Sequence, residues 1–281
     1  MALSGIGRLK AGSPAAAKPG KPLRGRRGIY LLPSIFTVAN LLCGYYAIWS
    51  IFQGDIADLD NAAKAIGFAI LFDMFDGRVA RLTNSTSELG KQFDSLADVI
   101  SFGIAPALLA YAWGVRGVVA PSGTAELRIE GFGWLAGFAF LLCCAWRLAR
   151  FNIQGMAPEQ SHYFVGLPTP AAAGVIAAMV HAVKYPLTSW WVSLLWLGLE
   201  LTVAVLMWSS VRYVGFKEIQ WQRRHSSLAF ILIGLLIAAI VLYSEEVLLA
   251  IATVYLLSGI TARLVRQVRH RRTPHTGDAH A

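Results

Sequence analysis

Eight stretches of this chain are apolar over roughly the 20 residues that a helix needs to cross a bilayer. They cover about 30–52, 62–82, 94–113, 132–151, 168–184, 190–211, 227–244 and 246–264. Hydrocarbon offers the backbone no water, so such segments must be helices that satisfy their own N–H and C=O groups. The expectation is an all-α integral membrane protein, a polytopic bundle of about eight transmembrane helices. The fifth stretch is short and opens on Pro168 and Pro170, and the third begins with Asp94 and Asp98. Six or seven spans therefore stay open. Only 15% of the residues are charged, against about a quarter in soluble domains. A disordered chain and a disulfide scaffold are excluded as well. The three cysteines, Cys43 and the adjacent Cys143 and Cys144, lie in apolar runs with no zinc-ligand spacing and read as small buried hydrophobes.

The net charge of +9 is explained by location. With the N-terminus in the cytoplasm, 21 of the 25 Lys and Arg fall in the tails and loops on that side. Lys64, Arg116, Arg128 and Lys184 are left outside, where Asp55, Asp58, Asp60, Glu245 and Glu246 also gather. That asymmetry predicts two cytoplasmic termini and an even number of spans. Residues 1–28 read as a basic flexible tail attracted to anionic headgroups, 29–266 as the transmembrane domain and 267–281 as a second basic tail. Nucleic acid is not an expected partner. Trp190, Trp191 and Trp196 read as an interfacial belt.

Four carboxylates stand where hydrocarbon should exclude them. Asp73 and Asp76 close the second span three residues apart, and Asp94 and Asp98 open the third four residues apart. Each spacing puts its pair on one helix face. The short polar loop 83–90 brings the two helices together near one membrane boundary. The alternative is a structural ion-pair network in which Arg78 and Arg81 neutralise the acids, but two cations against four anions leave a surplus of negative charge. A divalent cation fills the deficit, and oxygen donors without His or Cys favour Mg²⁺ or Mn²⁺. Gly77 and Ala80 either admit a ligand to the backbone or pack two helices closely. Beside four acids and an arginine, a phosphate-bearing ligand is the better reading.

Written out, these positions are Asp73-x2-Asp76-Gly77-x2-Ala80-Arg81-x8-Gly90-x3-Asp94-x3-Asp98. The pattern resembles the signature of the CDP-alcohol phosphatidyltransferase family, with all eight fixed positions filled across 26 residues. The resemblance implies a membrane enzyme that moves a phosphatidyl group from CDP-diacylglycerol to an alcohol and releases CMP. Residues 94–106, Leu32-Pro33-Ser34, 40–44, 147–152 and 166–174 are similar to the branch that uses L-serine as acceptor. Ser95 and Val99 stand where the glycerol 3-phosphate branch usually has Pro and Lys.

The resemblance further implies two divalent ions held by Asp73, Asp76, Asp94 and Asp98, with Asp98 also the general base. It assigns the CDP-lipid to Asp73, Gly77, Ala80 and Arg81. It also implies a homodimer in the cytoplasmic membrane, with the site on the cytoplasmic side. Arg150 and Asn152, at the same end of span four, are candidates for the serine. The competing reading of Arg147 and Arg150 is that both snorkel to the interface. Asn40 reads as a structural hydrogen-bonding residue and His162 as a loop residue. The rival acceptors are glycerol 3-phosphate, an inositol phosphate and choline. A divalent-cation transporter is the rival from another class, but transport sites favour the bilayer midplane and repeated halves.

Overall fold

The computed structural model describes residues 31–83, 88–154, 163–209, 212–214 and 226–272. All eight apolar stretches are helical. α1 (Leu31–Gln53) and α2 (Ile56–Thr83) form an antiparallel pair joined at Gly54. Gly54 has φ +84°, which a side chain would disfavour, and the turn is that short because of it. The third rod runs from Glu88 to Gly114 as α3 (Glu88–Asp98), a π-helical turn (Val99–Ile104) and α4 (Ala105–Gly114). α5 (Gly123–Gln154), α6 (Thr169–Val183), α7 (Trp190–Trp208), α8 (Ser226–Leu242) and α9 (Ser244–Arg272) follow. Two three-residue strands, β1 (Tyr163–Val165) and β2 (Arg212–Val214), pair antiparallel. They are a small addition to an otherwise all-α protein.

By length and composition, four helical rods qualify to cross a membrane: α1, the α3–α4 rod, α5 and α7. A fifth span exists if α8 and α9, bent by 119° between Leu242 and Ser244, act as one broken crossing. α2 carries too many charges for that criterion and α6, at 15 residues, is too short. Their sides explain how they are accommodated. Ala62, Ala65, Ile66 and Ala69 of α2 and Ala172, Ala173, Ile176 and Val180 of α6 are buried in one core with Ala47, Phe102 and Leu109. Outward faces are apolar instead: Leu42, Trp49 and Phe52 on α1, Trp134, Phe138 and Trp146 on α5, Leu195 and Val205 on α7. In water such a surface would drive association; in a bilayer it faces its solvent.

Trp196 departs from the expected aromatic belt. It is 4% exposed, packs edge-on to Trp113 at 4.9 Å, and its indole N–H donates to the Ala110 carbonyl at 3.0 Å. Gly114 leaves the space, since a Cβ there would lie 2.1 Å from the indole. Trp191, by contrast, is exposed and stacked on Trp190.

Candidate functional site

The third rod is where local sequence shapes the site. Pro106 has no N–H to give to Phe102, so the hydrogen-bond ladder must change register nearby. It does so through the π turn, in which the Ala105 N–H reaches back to the Ile100 carbonyl. Such turns recur at functional sites because they re-aim side chains. Here the turn follows Asp98 directly and buries Ser101, Phe102 and Gly103. α1 closes against it at Gly44, where a Cβ would meet Ser101 Oγ at 2.3 Å and Ser101 Cα at 2.9 Å. The approach lets Ser101 Oγ donate to the Asn40 carbonyl at 3.0 Å.

α1 thereby becomes the platform on which the acids of α2 and α3 meet. One carboxylate oxygen each from Asp73, Asp94 and Asp98 lie within 4.8 Å of one another. Asn40 Nδ2 donates to Asp98 Oδ1 at 3.0 Å, and the Thr37 hydroxyl donates to Asp76 Oδ2. Asp76 and Asp98 are buried, and Asp73 and Asp94 partly so. Asp76 stands one turn from Asp73, outside the trio. No Lys or Arg among the described residues is within ion-pair distance of any of the four. Arg78, one of the two cations that a neutralising network would need, is exposed.

Three carboxylates at that spacing repel one another by about 3 kcal/mol per pair if all are ionised, taking an effective dielectric near 20. Asp94 Oδ1 is moreover buried without a hydrogen-bond partner among the described residues. Repulsion, an orphaned anionic oxygen and an all-oxygen donor set fit a hard divalent cation.

Gly77 is exposed, and a Cβ added there meets nothing within 4 Å. Close helix packing is therefore not what a small residue serves at that position. Ala80 and Arg81 continue α2, with side chains outside the described residues; His162 also lies outside them. Asn152 Nδ2 donates to Ser95 Oγ at 2.9 Å, which ties the end of α5 to the residue after Asp94. Arg150 is half-exposed and makes no hydrogen bond or ion pair with the described residues. Arg147 does not snorkel. It turns inward, and Nη1 donates to Thr169 Oγ1 of α6 at 3.3 Å.

Thr37 escaped sequence reasoning altogether, and Asn40 was assigned only a structural part. Their partners lie 39 and 58 residues away in the chain. The available signal was a pair of polar residues three apart, hence on one face of an apolar helix.

The sequence model of the CDP-alcohol phosphatidyltransferase family matches residues 30–204. A Helicobacter pylori protein named CDP-diacylglycerol–serine O-phosphatidyltransferase is 33% identical over 242 residues, spanning 86% of this chain and 94% of its own. Relatives of the same name come from Mycobacterium tuberculosis and Bacillus subtilis. The first is 35% identical over 181 residues, with 62% of this chain and 57% of its own covered. The second is 31% identical over 189 residues, covering 66% and 92%.

Proposed function

This chain belongs to the CDP-alcohol phosphatidyltransferase family, and from that premise we propose that it transfers the phosphatidyl group of CDP-diacylglycerol to the hydroxyl of L-serine. The products are phosphatidylserine and CMP. The observation that carries the chemistry is the trio Asp73, Asp94 and Asp98 within 4.8 Å, with an orphaned Asp94 oxygen. The acceptor rests on the shared name of the relatives and on the flanking residues that resemble the serine branch. Membership in a transferase family displaces the transporter reading.

Asp98 is the general base. Asn40 engages Oδ1, which leaves Oδ2 to take the proton of the serine hydroxyl as its oxygen attacks the lipid-side phosphorus. The bond that breaks is the one from that phosphorus to the bridging oxygen, and CMP departs with the electron pair. Asp73, Asp76, Asp94 and Asp98 would hold two divalent ions, Mg²⁺ or Mn²⁺, which neutralise the diphosphate and the departing phosphate when bound. The Thr37 hydroxyl fixes the Asp76 carboxylate. Gly77 and Ala80 give the cytidine room beside α2, and Arg81 contacts the diphosphate. Arg150 and Asn152 line the approach of the serine. The lysine and arginine asymmetry supports a site at the cytoplasmic face of the cytoplasmic membrane, and the family resemblance supports a homodimer.

The test is CMP release by the purified protein with CDP-diacylglycerol, Mg²⁺ or Mn²⁺, and each alcohol in turn. Release with serine alone, lost in Asp98→Asn, is the expected result. Release with glycerol 3-phosphate, inositol phosphate or choline but not serine would overturn the acceptor and leave the metal chemistry standing.

A further inference from the structure

α1, α3 and α5 carry three buried side-chain atoms without a hydrogen-bond partner among the described residues: Asn40 Oδ1, Asp94 Oδ1 and Arg147 Nε. Arg147 as a whole is only half-buried, and Thr169 already takes one of its donors. The Asp94 oxygen belongs to the cation site. Asn40 is left to explain: it is 0% exposed, and its amide reaches into the same site.

The orientation of that amide is fixed by its neighbour. An ionised carboxylate only accepts hydrogen bonds, so the group that faces Asp98 Oδ1 at 3.0 Å is the NH₂. Asn40 Oδ1 is bonded to the same carbon and therefore stands beside the acids as well. An amide oxygen buried without a donor bears its desolvation penalty uncompensated. The backbone is held in place there. Ser101 Oγ donates to the Asn40 carbonyl, and Gly44, one turn along α1, is pressed against Ser101. Asn40 is thus fixed at its backbone and at its NH₂, with one strong acceptor left over.

What this oxygen lacks is a partner of positive character, and the orphaned Asp94 oxygen lacks the same. Asp94 and Asp98 are one turn apart on α3, and Asn40 approaches Asp98 from α1. A cation is the one kind of partner that several oxygens can share at once. We propose that Asn40 Oδ1 is a ligand of the divalent ion that Asp98 binds, which makes Asn40 the fifth side chain of the metal site. Hard divalent ions take amide carbonyl oxygens alongside carboxylates. The charge balance favours an amide at this position. Four carboxylates already match two divalent ions, and a further carboxylate would leave a surplus of negative charge. An amide oxygen adds a donor and no charge. One side chain then does two things: its NH₂ holds Asp98 and its oxygen holds the ion, which fixes the base relative to the metal. This inference rests on the metal-site reading of the acids and deepens it.

The experiment titrates the full chain in detergent with Mn²⁺, without either substrate, and reads the loss of the paramagnetic resonance signal of free Mn²⁺. Asn40→Ala should raise the Kd by about tenfold or more. Losing the hydrogen bond to Asp98 also loosens the site, so a second variant separates the two roles. Asn40→Cys puts a thiolate near the place of the oxygen, and a thiolate cannot donate to Asp98. It should bind Mn²⁺ as poorly as Asn40→Ala but regain Cd²⁺, followed by calorimetry, because soft sulfur selects a soft ion. Its preference for Cd²⁺ over Mn²⁺ should exceed that of the wild type by about tenfold, with the ultraviolet absorption of a new thiolate–cadmium bond. The wild type, which has the same Cys43, Cys143 and Cys144, sets the baseline for both readings. Thermal unfolding, followed by tryptophan fluorescence, shows that the compared variants are folded. If Asn40→Ala is not, Asn40→Cys carries the test alone, since its preference is read within one protein. Wild-type Mn²⁺ affinity in Asn40→Ala, or a Cd²⁺ preference in Asn40→Cys no greater than that of the wild type, would sink this proposal and leave the four-carboxylate site standing. A wild-type protein that binds neither ion would sink both.

Discussion

α2 carries a polar cluster at each end, and the two are built to opposite rules. Asp60 stands before the apolar part of the helix, and Asp73 lies about 20 Å further along it at 1.5 Å per residue. At the Asp60 end the hydrogen bonds close on themselves. His181 Nδ1 pairs with Asp60 Oδ1 at 2.5 Å, His181 Nε2 with Ser244 Oγ at 2.9 Å, and Lys64 with Asp60 Oδ2 at 2.7 Å. Lys184, held at φ +63° in a rare turn closed by Tyr185 N–H to the Val183 carbonyl, pairs with Glu245. This cluster ties α2 and α6 to the bend between α8 and α9. At the Asp73 end, three buried atoms have no partner among the described residues, and three carboxylates face one another. A satisfied buried network rigidifies a fold; an unsatisfied one awaits a ligand. At the two ends of α2, the type of residue does not separate structure from site, but the completeness of the hydrogen bonding does.

The largest effect that tests this contrast is Asp98→Asn. It should lower CMP release by about 10³-fold, within the range that a lost general base produces. Its unfolding temperature should hold or rise, since one repelling carboxylate is gone. A cluster that was purely structural would lose stability instead.

Next is metal removal. EDTA should abolish activity, and Mg²⁺ or Mn²⁺ should restore it. Either ion should raise the unfolding temperature of the wild type, with about 2.7 kcal/mol expected at a hundredfold excess over Kd. Asp94→Asn should lose most of that stabilisation.

Gly44→Ala probes the α1 platform. Its Cβ must push Ser101 away, and overpacking of this kind costs about 1–3 kcal/mol. Because Asn40 and Ser101 shift with it, kcat should fall about tenfold, read in the same CMP assay.

His181→Ala belongs to the closed cluster and should behave in the reverse way. Stripping Asp60 and Ser244 of a partner should cost about 1–3 kcal/mol of stability, with activity per folded molecule within about twofold. Loss of turnover at unchanged stability would break the comparison.

The smallest effect is one of pH. Burial raises the Asp60 carboxyl, but the hydrogen bonds from Lys64 and His181 outweigh it and hold the group below the usual carboxylate range. A folded-state pKa below the unfolded one means that the stabilisation is present above the unfolded pKa. It is lost as pH falls through the folded one. The wild type should therefore lose more unfolding temperature than Asp60→Asn on acidification below about pH 4. Equal losses would mean that this pairing contributes nothing.

How far the sequence carried the reading differs from residue to residue. All eight helical stretches were legible, because a long apolar run becomes a helix in hydrocarbon whatever its neighbours. So were Asp73, Asp76, Asp94 and Asp98, since their helical spacing needs no tertiary contact to be read. Trp196 was misplaced: its type suggested an interface, and only the notch at Gly114 buries it. Arg147 was read beside Arg150 as a snorkelling residue, and its inward turn onto Thr169 was not legible, because only packing decides which side of α5 faces the bundle. Thr37 and Asn40 were hidden by distance in the chain.

By itself, then, the sequence determined where the helices lie, the acidic motif and the family that it resembles. All three are local properties, written in runs and spacings within single helices. Only the tertiary structure decided which acids converge, that a π turn before Pro106 re-aims the third rod, and that Asn40 Oδ1 and Asp94 Oδ1 are buried without a partner among the described residues. Those facts depend on how helices rotate about their axes against one another. An apolar helix with little difference between its faces does not encode that rotation; its packing partners impose it.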